Sequence, residues 1–366
     1  MDSSDPAFVL NEDGICHHCE SFDKHALKNW MPNQDGKDRL HDHVAKIKKS
    51  GKDNDFDCIL GLSGGADSSY MLHLVVKELG LRPLVFHVDG GWNSDDGVHN
   101  IECMVEKLNL DLYTEVIDWN QMSDFQLAMF KSGVSHIDHP QDIAAQAAPF
   151  YFAKKYKVKY ILNGGNISTE VVRNPKDWIY YGSDTLQIKD ITKRFCSVTL
   201  DQFPMSNIFY NKVFLRLFYD IRHFKPLNLL PYIKADAEKI LADEYGWRPH
   251  RQKHFESRFT AFYEGYWLPS RFGYDVRKVQ FSSLILTGQM TRDEALAKLE
   301  LPVFNNNELE NEKAYICDKL KISKNELQEF HDMPLKSFRD YKNMNFVFEL
   351  GGKILQIFGS ESSIKK

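Results

Sequence analysis

Ser63–Gly64–Gly65–Ala66–Asp67–Ser68–Ser69 is the stretch whose residue types and spacing are best suited to chemistry. Two adjacent glycines let the backbone enter conformations that a Cβ opposes, so amide N–H groups can converge on an anion. Ser63, Ser68 and Ser69 add hydroxyl donors, and a helix beginning there adds the positive end of its dipole. The string lacks the GxxxxGK[ST] pattern, which excludes a Walker-type phosphate loop. Asp67 sets a carboxylate where phosphates would sit, and a shared Mg²⁺ reconciles the two charges. The bland alternative is a tight strand-to-helix turn with no ligand.

Such a turn has to be held by regular elements, and the flanking patterns supply them. A mostly apolar run over 55–62 leads in and an amphipathic segment over 68–79 leads out. Strand patterns recur at 83–89, 112–117 and 160–163, with helical spacing over 98–108 and 143–156. The alternation predicts an α/β fold, a doubly wound and mainly parallel sheet whose ligands bind beyond the C-terminal strand ends. Three of those ends carry small or polar residues: the serine–glycine turn, Asp89–Gly90–Gly91 and Asn163–Gly164–Gly165–Asn166. Asp89 either faces a nucleotide or caps its own turn. Beyond about residue 200 helical signals dominate, with capping-box patterns at Thr291–Arg292–Asp293–Glu294 and Ser323–Lys324–Asn325–Glu326.

Composition bounds the rest. The chain has 366 residues, 43% of them hydrophobic, enough for a substantial core, and a net charge of −5 that gives no basic footprint for nucleic acid. No apolar run approaches the roughly 20 residues of a membrane span. The polar start Met1–Asp2–Ser3–Ser4–Asp5 predicts no secretory leader, and six cysteines in so long a chain fit a reducing cytoplasm better than a disulfide framework. Cys16–His17–His18–Cys19 is either half of a zinc site or a small unliganded turn; closing four ligands would need His17, His18 or a distant residue such as Cys196. Residues 247–278 are dense in His, Arg, Lys, Glu, Tyr and Trp. That mixture suits an anionic sugar nucleotide, or else a solvated helix–turn with packed aromatics.

The Ser63–Ser68 string resembles the signature of the PP-loop (N-type) ATP pyrophosphatases, which split ATP between the α- and β-phosphates and adenylate an oxygen of their substrate. Two further stretches are similar to the N-acetyl sugar amidotransferases of bacterial surface-polysaccharide (O-antigen) biosynthesis within that group. One is Met1–Pro6 with Asn11–Cys19. The other is Trp247–His250, Lys253–Thr260, Tyr263–Pro269, Phe272–Lys278 and Thr287–Ala295. The family's additional CxxC ahead of the first stretch has no counterpart in the sequence.

The resemblance implies an AMP-forming enzyme that adenylates the acetamido oxygen of a nucleotide-linked sugar and replaces it with ammonia. ATP and Mg²⁺ are the implied cofactors, with Zn²⁺ at Cys16 and Cys19 a further expectation. The implied ATP-binding residues are Ser63, Gly64, Gly65, Asp67, Ser68, Ser69, Asp89, Asn163, Gly164, Gly165 and Asn166, with Asp67 and Glu170 toward Mg²⁺. Asp67, Lys189 and Arg194 are the expected catalytic groups, with Arg173 a further cation, and His254, Glu256, Arg258, Tyr263 and Arg277 the expected substrate-side groups. Three parts are expected: 1–50 with the CxxC and short helices, 51–200 binding ATP, and a mainly helical 201–366 binding substrate or partner. No cysteine has a glutaminase context, so ammonia is expected from solution or a partner; the resemblance implies a separate glutaminase, delivering it through a barrel subunit like that of histidine biosynthesis. The alternative is a PP-loop tRNA thiolase, which would require Cys16, Cys19 or Cys196.

Overall fold

The computed structural model describes residues 1–205 and 218–357. Its centre is one five-stranded sheet made of β1 (Cys58–Gly61), β2 (Pro83–Asp89), β3 (Leu112–Val116), β4 (Tyr160–Leu162) and β5 (Arg222–Phe224). All four pairings are parallel and the spatial order is β3-β2-β1-β4-β5. The order reverses beside β1, so the crevice at the switch point opens above the serine–glycine turn. Four strands fall where the sequence pattern puts them. β5 is an addition to the region expected to be helical: its Arg222 and His223 are exposed on the sheet edge, so no apolar run marks it.

The central strands are buried on both faces, as parallel strands under helices must be. Ile59 and Leu84 point into one apolar cluster with Phe86, Phe152 and Ile161. Leu60 and Val85, one residue on, point the opposite way into a second with Met71, Leu72, Ile101 and Met104. The helix Ala66–His73 starts directly after the turn and continues as a wider turn over Leu74–Glu78. Before residue 50, short helical turns at His17–Ser21, Phe22–Ala26 and Leu27–Asn29 precede a longer helix, Gln34–Ser50, which buries Leu40, Val44 and Ile47. Both capping boxes are formed, at Thr291/Glu294 and Ser323/Glu326.

The C-terminal part is helical and shares a third core with earlier elements. Phe259, Phe262 and Trp267 pack with Phe125, Phe130 and Ile188, and the Phe130 and Trp267 rings meet edge-on at 4.8 Å. Apolar packing thus draws the C-terminal helices onto the strand ends where the turn lies. Among the described residues no helix is long and apolar enough to cross a membrane.

Candidate functional site

The serine–glycine turn is built by orienting one peptide. Gly64 has φ +87°, and a Cβ there would lie 2.5 Å from the Gly97 carbonyl oxygen. Its own carbonyl is held inward by the Trp247 indole N–H (3.0 Å) and the Asn100 amide (3.1 Å). Because C=O and N–H of a trans peptide point in opposite directions, the following Gly65 N–H faces the mouth of the turn, where it reaches Ser63 Oγ at 3.3 Å. Ser68 Oγ accepts from Ser63 N–H and lies 3.1 Å from Ser63 Oγ. Ser69 is fully buried, and its hydroxyl has no partner among the described residues.

Asp67, in the first turn of the helix, is the hub of the β4 side. It accepts from the Tyr232 hydroxyl (2.6 Å), the Lys253 ammonium (2.6 Å) and the Asn166 amide (3.3 Å). Lys253 also reaches Glu170 at 2.8 Å, so one ammonium joins the two carboxylates expected to face Mg²⁺. Burial opposes the Lys253 charge, yet Asp67 and Glu170 outweigh it and raise its pKa. Burial and Asp67 raise Tyr232, keeping the phenol protonated. Asn163 Oδ1 accepts from Gly165 N–H at 2.6 Å, and a Cβ on Gly164 would come 3.0 Å from the Asp67 carbonyl. The Asn163–Asn166 turn is therefore packed directly on the start of the helix.

Sequence reasoning did not single out Lys253 or Tyr232, although Lys253 stands inside a quoted motif; a lone lysine or tyrosine carries no spacing signal. It did single out Glu256, whose carboxylate is in the turn itself, 3.0 Å from Ser63 Oγ and 2.9 Å from where a Gly65 Cβ would be. Main-chain bonds fix it there: Ser94 N–H to Glu256 O and Arg258 N–H to Trp92 O, both 2.8 Å.

Other expected site residues are elsewhere. Asp89 caps its own turn through Gly91 N–H at 2.8 Å. Arg277 is a correction: it is buried, with its donors spent on Asp275 and on the carbonyls of Lys298, Leu299 and Leu301, where it closes a helix end. Arg258 pairs with Glu312 and lies over the Tyr315 ring at 3.4 Å. Arg194 pairs with Asp190 and lies over Tyr341; among the described residues no hydrogen bond or ion pair joins it, or Lys189, to the turn. Arg173 is exposed. Tyr263 is buried, and its hydroxyl has no partner among the described residues.

His254 adopts φ +68° and bonds Glu264 at 3.0 Å. Burial pulls its pKa down, but the Glu264 carboxylate outweighs this and raises it to about 9. A raised imidazole favours the folded state fully below its ordinary value, and this contribution is lost as pH climbs through about 9. In an NMR titration His254 is expected to stay protonated at neutral pH, and Glu264→Gln to bring its titration below pH 7; a titration near 6.5 in the parent protein would refute the pairing.

Cys16 and Cys19 bring their sulfurs to 3.3 Å. Among the described residues no third metal-binding side chain joins them; the clustered donors there are Asp5, His17 and His18. The pair alone does not make a structural zinc set. Burial and Cys16 push the Cys19 thiol up to about 11, and burial with Asp124 pushes Cys196 up to about 12, so neither is an activated thiolate.

With this geometry in hand, residues 256–355 match the family model of the LPS biosynthesis protein WbpG-like, C-terminal domain. The match covers the C-terminal part of the chain alone. It begins at Glu256, the residue whose carboxylate enters the serine–glycine turn. Among solved structures, the NH3-dependent NAD synthetase from Campylobacter jejuni in complex with the nitrate ion is 13% identical, with 83% of this chain and 98% of that one covered and a TM-score of 0.35. The NMN synthetase from Francisella tularensis is 16% identical, covering 82% and 98%, with a TM-score of 0.33. The U34-tRNA thiolase NcsA from Methanococcus maripaludis with its [4Fe-4S] cluster is 14% identical, covering 82% of each, with a TM-score of 0.32. No curated protein matches.

Proposed function

We propose that this chain is an ATP-dependent amidotransferase of lipopolysaccharide and O-antigen biosynthesis. It adenylates the acetamido oxygen of a nucleotide-linked sugar and lets ammonia displace AMP, leaving an acetamidino sugar and releasing pyrophosphate. One observation carries the reading: the first residue of the WbpG-like match and the lysine three residues before it both engage the phosphate turn, Glu256 on Ser63 and Lys253 on Asp67.

Amide oxygen is a poor leaving group, and adenylation makes it part of AMP, which departs readily. Ser63, the Gly65 N–H and Ser68 are the donors for the pyrophosphate, aided by the helix N-terminus. Asp67 and Glu170 would hold Mg²⁺: carboxylate oxygens are the donors that ion takes, and their convergence on one ammonium marks a site built for positive charge. When bound, Mg²⁺ supplies charge neutralisation on the phosphates. Lys253 adds a fixed cation beside the turn, and its bonds to Asp67 and Glu170 spare it reorganisation during the reaction. Ammonia comes from a separate glutaminase, delivered through a barrel subunit, and the protein works in the cytoplasm.

The test is turnover of purified protein with Mg·ATP, ammonium and nucleotide-linked acetamido sugars. AMP formation that needs both sugar and ammonium, with a product one mass unit lighter than the substrate, is the expected result; ADP release would refute it. Glu256 supplies a second test, since ATP must displace or share its carboxylate. Removing about 1 kcal/mol of like-charge repulsion makes Glu256→Ala bind Mg·ATP roughly five- to tenfold more tightly by calorimetry. Weaker binding would instead make Glu256 part of the metal's support.

A further inference from the structure

Next to the phosphate turn lies a buried polar cluster that the preceding mechanism leaves unused. Asp138, immediately before the helix His139–Lys155, is 5% exposed, and among the described residues no lysine or arginine pairs with it. Its carboxylate accepts from the Thr260 hydroxyl at 2.6 Å and from the Gln141 amide. His136 and His139 stack their rings 4.7 Å apart, and the Tyr263 ring lies 5.9 Å beyond His136. Among the described residues the buried atoms His136 Nδ1 and Tyr263 Oη have no hydrogen-bond partner, and His139 lies against the Gly182 backbone. An anion without a cation, beside polar atoms without partners, is costly unless something small, positive and rich in N–H donors completes it.

The cluster's position says what that is. Ser257, the neighbour of Glu256, donates to Gln141 Oε1 at 3.2 Å, and Gln141 donates to Asp138, so the cluster is two side chains from the phosphate turn. On its other side His136 Nε2 meets Asp142 at 3.1 Å, and Asp142 is half exposed, giving a polar route in from the surface.

We infer that Asp138, with His136, His139 and Tyr263, forms the site that receives ammonium and takes its proton before the nitrogen attacks. This rests on the amidotransferase reading. Ammonium passes one proton to the Asp138 carboxylate, and the freed lone pair forms the C–N bond to the O-adenylyl imidate carbon. The C–O bond to AMP then breaks with its electron pair on AMP, and a second proton leaves the attached nitrogen to the departing phosphate. The oxygen leaves with AMP and the product is the amidine. The electrostatics agree: burial, then Asp142, raise Asp138 well above the ordinary carboxylate range, toward a proton-accepting value near neutrality, while burial and His136 lower His139 to about 3, leaving it neutral. The titratable groups facing Asp138 are thus Asp142, His136 and Tyr263, with His139 behind His136 and Asp142 and Glu264 beyond Tyr263.

The experiment compares ammonium with hydroxylamine, which is largely unprotonated at neutral pH and needs no base before attack. Asp138→Asn is expected to lower kcat/KM for ammonium at least 20-fold, while hydroxylamine-supported AMP formation falls less than threefold. Equal losses with both nucleophiles, or none with ammonium, would overturn the site while leaving the amidotransferase standing. A wild-type enzyme that uses neither nucleophile would overturn both. Thr260→Val, which keeps the carboxylate and removes one donor to it, guards against a folding artefact. It should move the acid limb of the ammonium kcat/KM profile to higher pH without moving the hydroxylamine profile; an unmoved limb would also overturn the proposal.

Discussion

Lys253→Met is expected to lower kcat for AMP formation by about 10³-fold, the scale seen when a preorganised electrostatic donor is removed from an active site. The effect follows from where the charge is held. The Lys253 ammonium bridges Asp67 at 2.6 Å and Glu170 at 2.8 Å at the end of the serine–glycine turn, so the variant loses the cation and leaves two carboxylates facing each other. Methionine matches the stem's length and apolar packing, which separates the charge from its volume. The folded state should persist, because Tyr232, Asn166 and Thr169 still donate to Asp67. The check is single-turnover AMP release alongside a thermal melt. A kcat within threefold of the parent would reduce Lys253 to a structural ion pair.

Gly64→Ala is the second large effect, and it acts through the backbone. At φ +87° any L side chain is strained, and here the added Cβ would lie 2.5 Å from a main-chain oxygen that cannot swing aside. Relief would require the peptide to turn, breaking the bonds from Trp247 and Asn100 that aim the Gly65 N–H at the mouth of the turn. The variant should lose about 2–3 kcal/mol in urea unfolding, the cost of such strain with the lost bonds. Binding of Mg·ATP should weaken at least about 100-fold, on the order of two such bonds. Near-parent values for both would mean that the turn relaxes without its inward-held carbonyl.

Much of this was legible in the amino-acid order because period and composition carry it. β1, β2 and β4 announce themselves as short apolar runs ending in glycines, since burial on both faces requires such runs, whereas β3 is a half-exposed edge strand without that ending. The capping boxes at 291 and 323 are local chemistry, readable within four residues. β5 was not legible because a three-residue edge strand of Arg222, His223 and Phe224 buries little and shows no alternation. Lys253 and Tyr232 were missed because their partners, Asp67 and Glu170, lie far away in sequence and only packing brings them together. Arg277 misled for the opposite reason. An arginine in an aromatic, charged stretch reads as a substrate cation, yet this one closes a helix end through three carbonyls.

The central claim is that the acetamido oxygen itself is adenylated on this turn, and isotope transfer tests it most directly. A nucleotide-linked sugar carrying ¹⁸O in its acetamido group, turned over with Mg·ATP and ammonium, should yield AMP containing one ¹⁸O and pyrophosphate containing none. Label appearing in pyrophosphate, in inorganic phosphate or in water with unlabelled AMP would contradict the account.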